Sequence, residues 1–149
     1  NTNVTLPAPV LNSAGTLFQT SGKINPVTVV DTRASNPGWT VSGQVSDFSD
    51  GATPTANKIN GGNLGWVPNV VDQATNQTVT AGGAIAPDNG IAPTATPAAG
   101  VGLSTSRTMA TATASHGIGT AHLDALLNLN APTSTPAGTY NATLTLTAI

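Results

Sequence analysis

Asp31, Arg33 and Trp39, within "VVDTRASNPGWTVSGQVSDF" (29–48), stand out in a chain that is only 7% charged and 3% aromatic. A carboxylate two residues from a guanidinium can form a bidentate ion pair, and a nearby indole adds a broad apolar surface with one N–H donor. Such a trio either holds a ligand or fastens a joint in the fold. His116, His122 and Asp124 in "SHGIGTAHLD" form a second ionisable cluster. Zinc-binding histidine pairs on one element usually lie closer in sequence and come with a third ligand, which this stretch does not supply. Turn and strand-end histidines are the better reading. Asp47 and Asp50 in "DFSDG" lack the remaining ligand positions of an EF-hand loop. The Asp residues lie scattered among turn signals without a preferred acid–base pair, and no Ser or Thr sits in a nucleophile elbow. The sequence therefore points to no enzyme, and to no catalytic residue, metal ligand or cofactor. Lys23 or Lys58 could in principle form an intramolecular amide with an Asn, a bond that intact mass would reveal.

The elements that must position these residues are strands. The chain contains no Glu, and it is rich in the Thr, Val, Gly, Pro and Asn that favour strands and tight turns over helices. "NVTL" (3–6) alternates polar and apolar residues ahead of Pro7 and Pro9, predicting an edge strand. Residues 15–24 predict another. In 26–32, Val27, Val29 and Asp31 share one face; after "ASNPG", 39–45 resumes with Trp39, Val41 and Val45 on one face and Thr40, Ser42 and Gln44 on the other. The two segments read as a hairpin, with Asp31, Arg33 and Trp39 as its joint: carboxylate holding the loop, guanidinium satisfying it, indole closing the core.

Asp50-Gly51 and Asn60-Gly61 are candidate turns. The Ala, Gly and Pro-rich stretch 81–100 reads as a long surface loop or loosely formed edge. Residues 104–114 predict a strand, and 122–132 a strand or a short helical turn followed by one. At the end, Tyr140, Ala142, Leu144, Leu146 and Ala148 face one way while Asn141, Thr143, Thr145 and Thr147 face the other. The expected fold is all-β: a single-domain antiparallel β-sandwich or barrel-like fold with long loops, spanning 1–149.

A net charge of −2 with four Lys and Arg cannot neutralise a run of phosphates, which excludes nucleic acid and a polybasic membrane patch. No apolar run reaches the roughly 20 residues of a membrane-spanning helix. Zero Cys excludes a disulfide framework. Ser and Thr richness with few Lys fits an extracellular protein that offers proteases few basic cleavage sites.

"VTVVDTRASNPGWTVSGQVSDF", "SHGIGT" and "LNLNAPTSTPAGTYNATLTLTAI" together resemble the WxL domain of Gram-positive surface proteins, in its actinobacterial form. The resemblance implies a β-rich extracellular domain attached non-covalently to the cell wall through peptidoglycan. The first Trp motif stands as Trp39-Thr40-Val41, with Val in place of Leu. Leu146-Thr147-Ala148 occupies the place of the second and lacks its Trp, so that position offers no aromatic platform for a sugar ring.

Three roles follow as expectations. The first is a non-catalytic surface domain whose partners are the cell wall or other surface proteins. The second is a filament subunit, a homopolymer in which residues 1–12 donate a strand through Val4, Leu6 and Val10 to the next copy. The third is a carbohydrate-binding module, with Trp66 in "NLGWVPN" on a loop as the platform. Trp39 and Trp66 are the candidate glycan or partner contacts.

Overall fold

The computed structural model describes residues 3–149. Its strands are β1 (Val10–Leu11), β2 (Leu17–Lys23), β3 (Val27–Asp31), β4 (Trp39–Val45), β5 (Phe48–Ser49), β6 (Lys58–Ile59), β7 (Leu64–Gln73), β8 (Val79–Ala81), β9 (Arg107–Ala112), β10 (Gly119–Pro132) and β11 (Leu144–Ala148), with one 3-10 turn at Gly61–Asn63. All pairings between these strands are antiparallel.

Two sheets pack face to face. In the first, the 14-residue β10 is the central strand. One of its edges pairs with β7 from Ala121 to Leu129. Its other edge is shared end to end, by β3 against Gly119–Leu123 and by β2 against Leu126–Pro132, with β1 outside β2. The second sheet runs β11-β4-β9-β8, and β5-β6 form a short separate ribbon. The inner faces supply a common core that includes Val41, Val45, Trp66, Met109 and Leu123, joined by Leu103 from the irregular stretch before β9. The fold is a β-sandwich; no sheet closes into a barrel.

Alternation explains which side chains enter that core. Along β4, Trp39, Val41, Gly43 and Val45 are buried while Thr40, Ser42 and Gln44 face outward. β10 buries Ala121, Leu123, Ala125, Leu127, Leu129 and Ala131 in the same two-residue rhythm. Gly43 is required by its neighbour: a Cβ there would lie 2.6 Å from Cη2 of Trp66. The fully buried Trp66 indole thus reaches from one sheet to the backbone of the other.

Several local expectations need correction. Segments 26–32 and 39–45 are strands but form no hairpin, because β3 pairs with β10 in one sheet and β4 with β9 and β11 in the other. The loop between them is a corner at which the chain changes sheets. Residues 3–6 form no strand, and the outer strand near the N-terminus is β1. The 122–132 segment is strand throughout and begins earlier, at Gly119, with no helical turn. The last strand starts at Leu144, after an isolated bridge between Asn141 and Ser49. Trp66 lies inside β7 rather than on a loop. Its neighbour Gly65 is needed because the 85–87 backbone crosses there, where a Cβ would meet the Ile85 carbonyl oxygen at 2.3 Å.

Candidate functional site

The corner between β3 and β4 gathers the residues singled out by type. Oδ1 of Asp31 accepts hydrogen bonds from the Arg33 backbone N–H at 3.0 Å and from its Nε at 2.9 Å, while Oδ2 accepts from Nη2 at 3.0 Å. Nη2 also donates to the Gly38 carbonyl at 2.6 Å. The Asp31 side chain is 5% exposed and that of Arg33 50%, so a half-solvated cation covers a nearly buried anion. The guanidinium hydrogen bonds hold the Asp31 carboxyl below the usual carboxylate range, and the same pairing raises Arg33 further. Gly38 has φ +81° and lies where a Cβ would sit 2.5 Å from the Ala112 carbonyl, so this turn requires glycine.

Trp39 begins β4, is 6% exposed and donates Nε1–H to the Gly117 carbonyl at 3.0 Å. Gln77 Nε2 donates to the same carbonyl at 2.8 Å, and the Asn36 side chain accepts from the Gly117 N–H at 2.9 Å. The corner therefore ties three loops together: 32–38, 74–78 and 113–118. Asn36, Gln77 and Gly117 carry no signal in the sequence that would mark them out, since their partners lie 40 to 81 residues away.

At the opposite end of the sandwich, the 82–106 stretch has almost no regular structure yet is held firmly in place. Asn60 Nδ2 is placed against the carbonyls of Ala92, Pro93 and Ala95 at 2.8 to 3.2 Å, while its Oδ1 caps the 3-10 turn by accepting from Gly62 N. Asn63 is fully buried and exchanges two hydrogen bonds with the Ile91 backbone, at 2.9 and 3.0 Å. Asp88 accepts from the Ala98 N–H, and Arg107 donates to the Val101 and Gly102 carbonyls. Asn60-Gly61 is thus the base of a clamp rather than a hairpin turn.

The other candidates stay apart. His116 lies exposed in the 113–118 loop, whereas His122 faces outward on β10 with Nδ1 2.6 Å from Oδ1 of Asp72. Asp124 does not join the histidines; its carboxylate bridges Lys23 Nζ at 3.2 Å and Asn69 Nδ2 at 3.0 Å. Asp47 accepts from the Gly61 N–H, and Asp50 accepts from Ala52 and Asn57 within its own loop. Among the described residues no group of three or more His, Asp or Glu converges as a metal site would. Both indoles face inward, and Trp66 has no exposed surface at all, so neither presents a ring to a sugar. Its Nε1 has no hydrogen-bond partner.

Residues 1 and 2 of the expected donor segment lie outside the described residues. From Leu6 onward the segment lies on its own chain: Leu6 packs over Gly22, Thr20 Oγ1 donates to the Pro7 carbonyl at 2.7 Å, and Val10 pairs with Gln19. Val4 and Val10 are exposed.

Fold and site together define an antiparallel β-sandwich whose conspicuous polar side chains are hydrogen-bonded to its own loops. The chain belongs to the WxL domain family: the family model, described as surface cell wall-binding, matches residues 5–148. Membership places it among domains associated with the cell surface and wall. No curated protein and no solved structure matches the chain.

Proposed function

We propose that this chain is a non-catalytic domain that holds itself, or a protein it is part of, on the outside of the cell by binding peptidoglycan. The observation that carries the reading is the family match along residues 5–148. The committed state of the ionisable side chains supports it: Asp31, Arg33, Asp88, Arg107 and Asp124 are all engaged in fastening the fold. Because both indoles are interior, binding is by the outer surface of the sheets, and Trp39 contributes through the fold.

Sedimentation with purified peptidoglycan sacculi tests this. The expected result is co-sedimentation that saturates with protein concentration and is unaffected by adding free divalent cation. Protein that stays in the supernatant across micromolar concentrations overturns the reading.

A further inference from the structure

We infer that the outer face of the β11-β4-β9-β8 sheet is the wall-contacting surface, and that it takes the uncharged backbone of a polysaccharide rather than an anionic polymer. This rests on the wall-binding reading above and assigns it a surface and a ligand chemistry.

The two outer faces of the sandwich differ in kind. On the β10 sheet, the outward positions include Lys23, Asp72, His122 and Asp124, tied into pairs, with the apolar Val67 beside Leu126. On the β4 sheet, the outward positions within the strands are hydroxyls and one amide, with the exposed Ile149 at the margin, paired through its backbone with Thr40. Strand register aligns them in rows: Thr80, Thr111 and Thr40 across three strands, then Thr108, Ser42 and Thr147, then Gln44 beside Thr145. None of these is charged, and Arg107, the only charged residue in the four strands, turns its guanidinium back to the Val101 and Gly102 carbonyls. A shallow depression of about 320 Å³ lies on this face, with Ser42, Gln44, Ser106, Thr143, Thr145 and Thr147 in its lining.

Those hydroxyls repeat about 4.8 Å apart across strands and about 7 Å apart along them, each able to donate and accept. Apart from Gln44, which donates to the Ser104 carbonyl at 2.8 Å, these row residues make no side-chain hydrogen bond to protein among the described residues. The surface that results matches a chain of neutral rings bearing hydroxyl and amide groups. An anionic polymer finds no cation there to neutralise it. Beneath the face, the Trp66 ring abuts Gly43 between Ser42 and Gln44, and this contact stiffens the platform so that little ordering is needed on contact. A second copy of this chain is a poorer occupant, because burying two hydroxyl faces against each other lacks the apolar core a stable interface uses.

The test measures binding of the wild type and surface variants to sacculi stripped of anionic polymers, to N-acetylglucosamine oligomers, which carry an N-acetylated glycan backbone without ionisable groups, and to a peptidoglycan-free neutral wall polysaccharide. Ser42→Lys with Thr145→Lys, and separately Ser42→Glu with Thr145→Glu, place charge on the face. Both pairs are expected to lower affinity by about tenfold, because either charge must be desolvated against a neutral partner. Thr108→Arg on β9 serves as an independent second variant. Ser21→Glu and Thr28→Glu on the opposite face are expected to bind as wild type, with all variants melting within a few degrees of it. Binding that persists at roughly 0.5 M salt fits the neutral partner.

Wild type that binds none of the three preparations removes the wall-binding reading and this inference with it. Wild type that binds while the Ser42, Thr145 and Thr108 variants bind equally well overturns the inference alone, as does a Lys pair that strengthens binding while the Glu pair weakens it. A stable dimer in solution that the face variants dissociate also overturns it. Retention on sacculi and on the N-acetylglucosamine oligomers but not on the neutral polysaccharide identifies peptidoglycan as the source; the reverse identifies the other polymer and still supports the face.

Discussion

The two ends of the sandwich solve one problem with different chemistry. At the β3–β4 corner, a bidentate ion pair and an indole N–H hold the crossing between sheets; at the other end, the amides of Asn60 and Asn63 hold a long irregular loop. Both arrangements satisfy backbone groups that have no ladder partner. The difference is in how each responds to its surroundings. A half-exposed ion pair responds to pH and salt, whereas a buried neutral amide responds to neither and is lost only when the loop itself opens.

The sharpest way to break the comparison is at the corner's apolar member. Trp39→Ala is expected to cost about 3–5 kcal/mol in urea denaturation, since it empties a core site and removes a donor. Asn63→Ala at the other end leaves both Ile91 backbone groups without their buried partner, and about 1–3 kcal/mol is expected. Its signature differs as well: cleavage by a broad-specificity protease within 82–106 should accelerate in this variant and not in Trp39→Ala under folded conditions. Trp39→Phe retains most of the apolar area and loses only the bond to Gly117, for about 1 kcal/mol.

The smallest effect at neutral pH is that of Asp31→Asn, and there the pH dependence carries the information. Because the folded Asp31 carboxyl titrates below its unfolded value, its contribution is fully present above about pH 3.9 and is lost as pH falls through the lowered value. Asp50, also lowered, by hydrogen bonds from Asn57 and Ala52, behaves in the same sense. Melting temperature followed from pH 6 downward should therefore fall less steeply in Asp31→Asn than in wild type. An equal slope would show that the corner ion pair has no share in acid stability.

The comparison also shows how much could be read in advance. Alternation in 26–32 and 39–45 marked the strands and their inward faces, because that pattern is set within each segment. It could not mark partners: β10, which organises the larger sheet, pairs with β2 across roughly a hundred residues of sequence, so the nearest strands looked like a hairpin. The corner was legible because its three residues are rare types set close together. The clamp was not, since Asn60 and Asn63 look like any turn residues until 91–95 folds onto them. Trp66 misled for a related reason. Its flanking Gly65 and Pro68 read as loop signals, yet Gly65 makes room for a crossing backbone, and β7 pairs with only one full strand, where a proline is tolerated.

That central position of β10 also bears on when the chain can close. A chain emerging with its N-terminus first carries β3 and β7 without a strand partner, and β2 with only the two-residue β1 beside it, until residues 119–132 follow them out. Assembly dominated by such distant pairings takes about milliseconds to seconds, and stopped-flow refolding of the purified protein completing in microseconds would contradict this. Until then the larger sheet has no centre to assemble on, and it closes only once its organiser is in place.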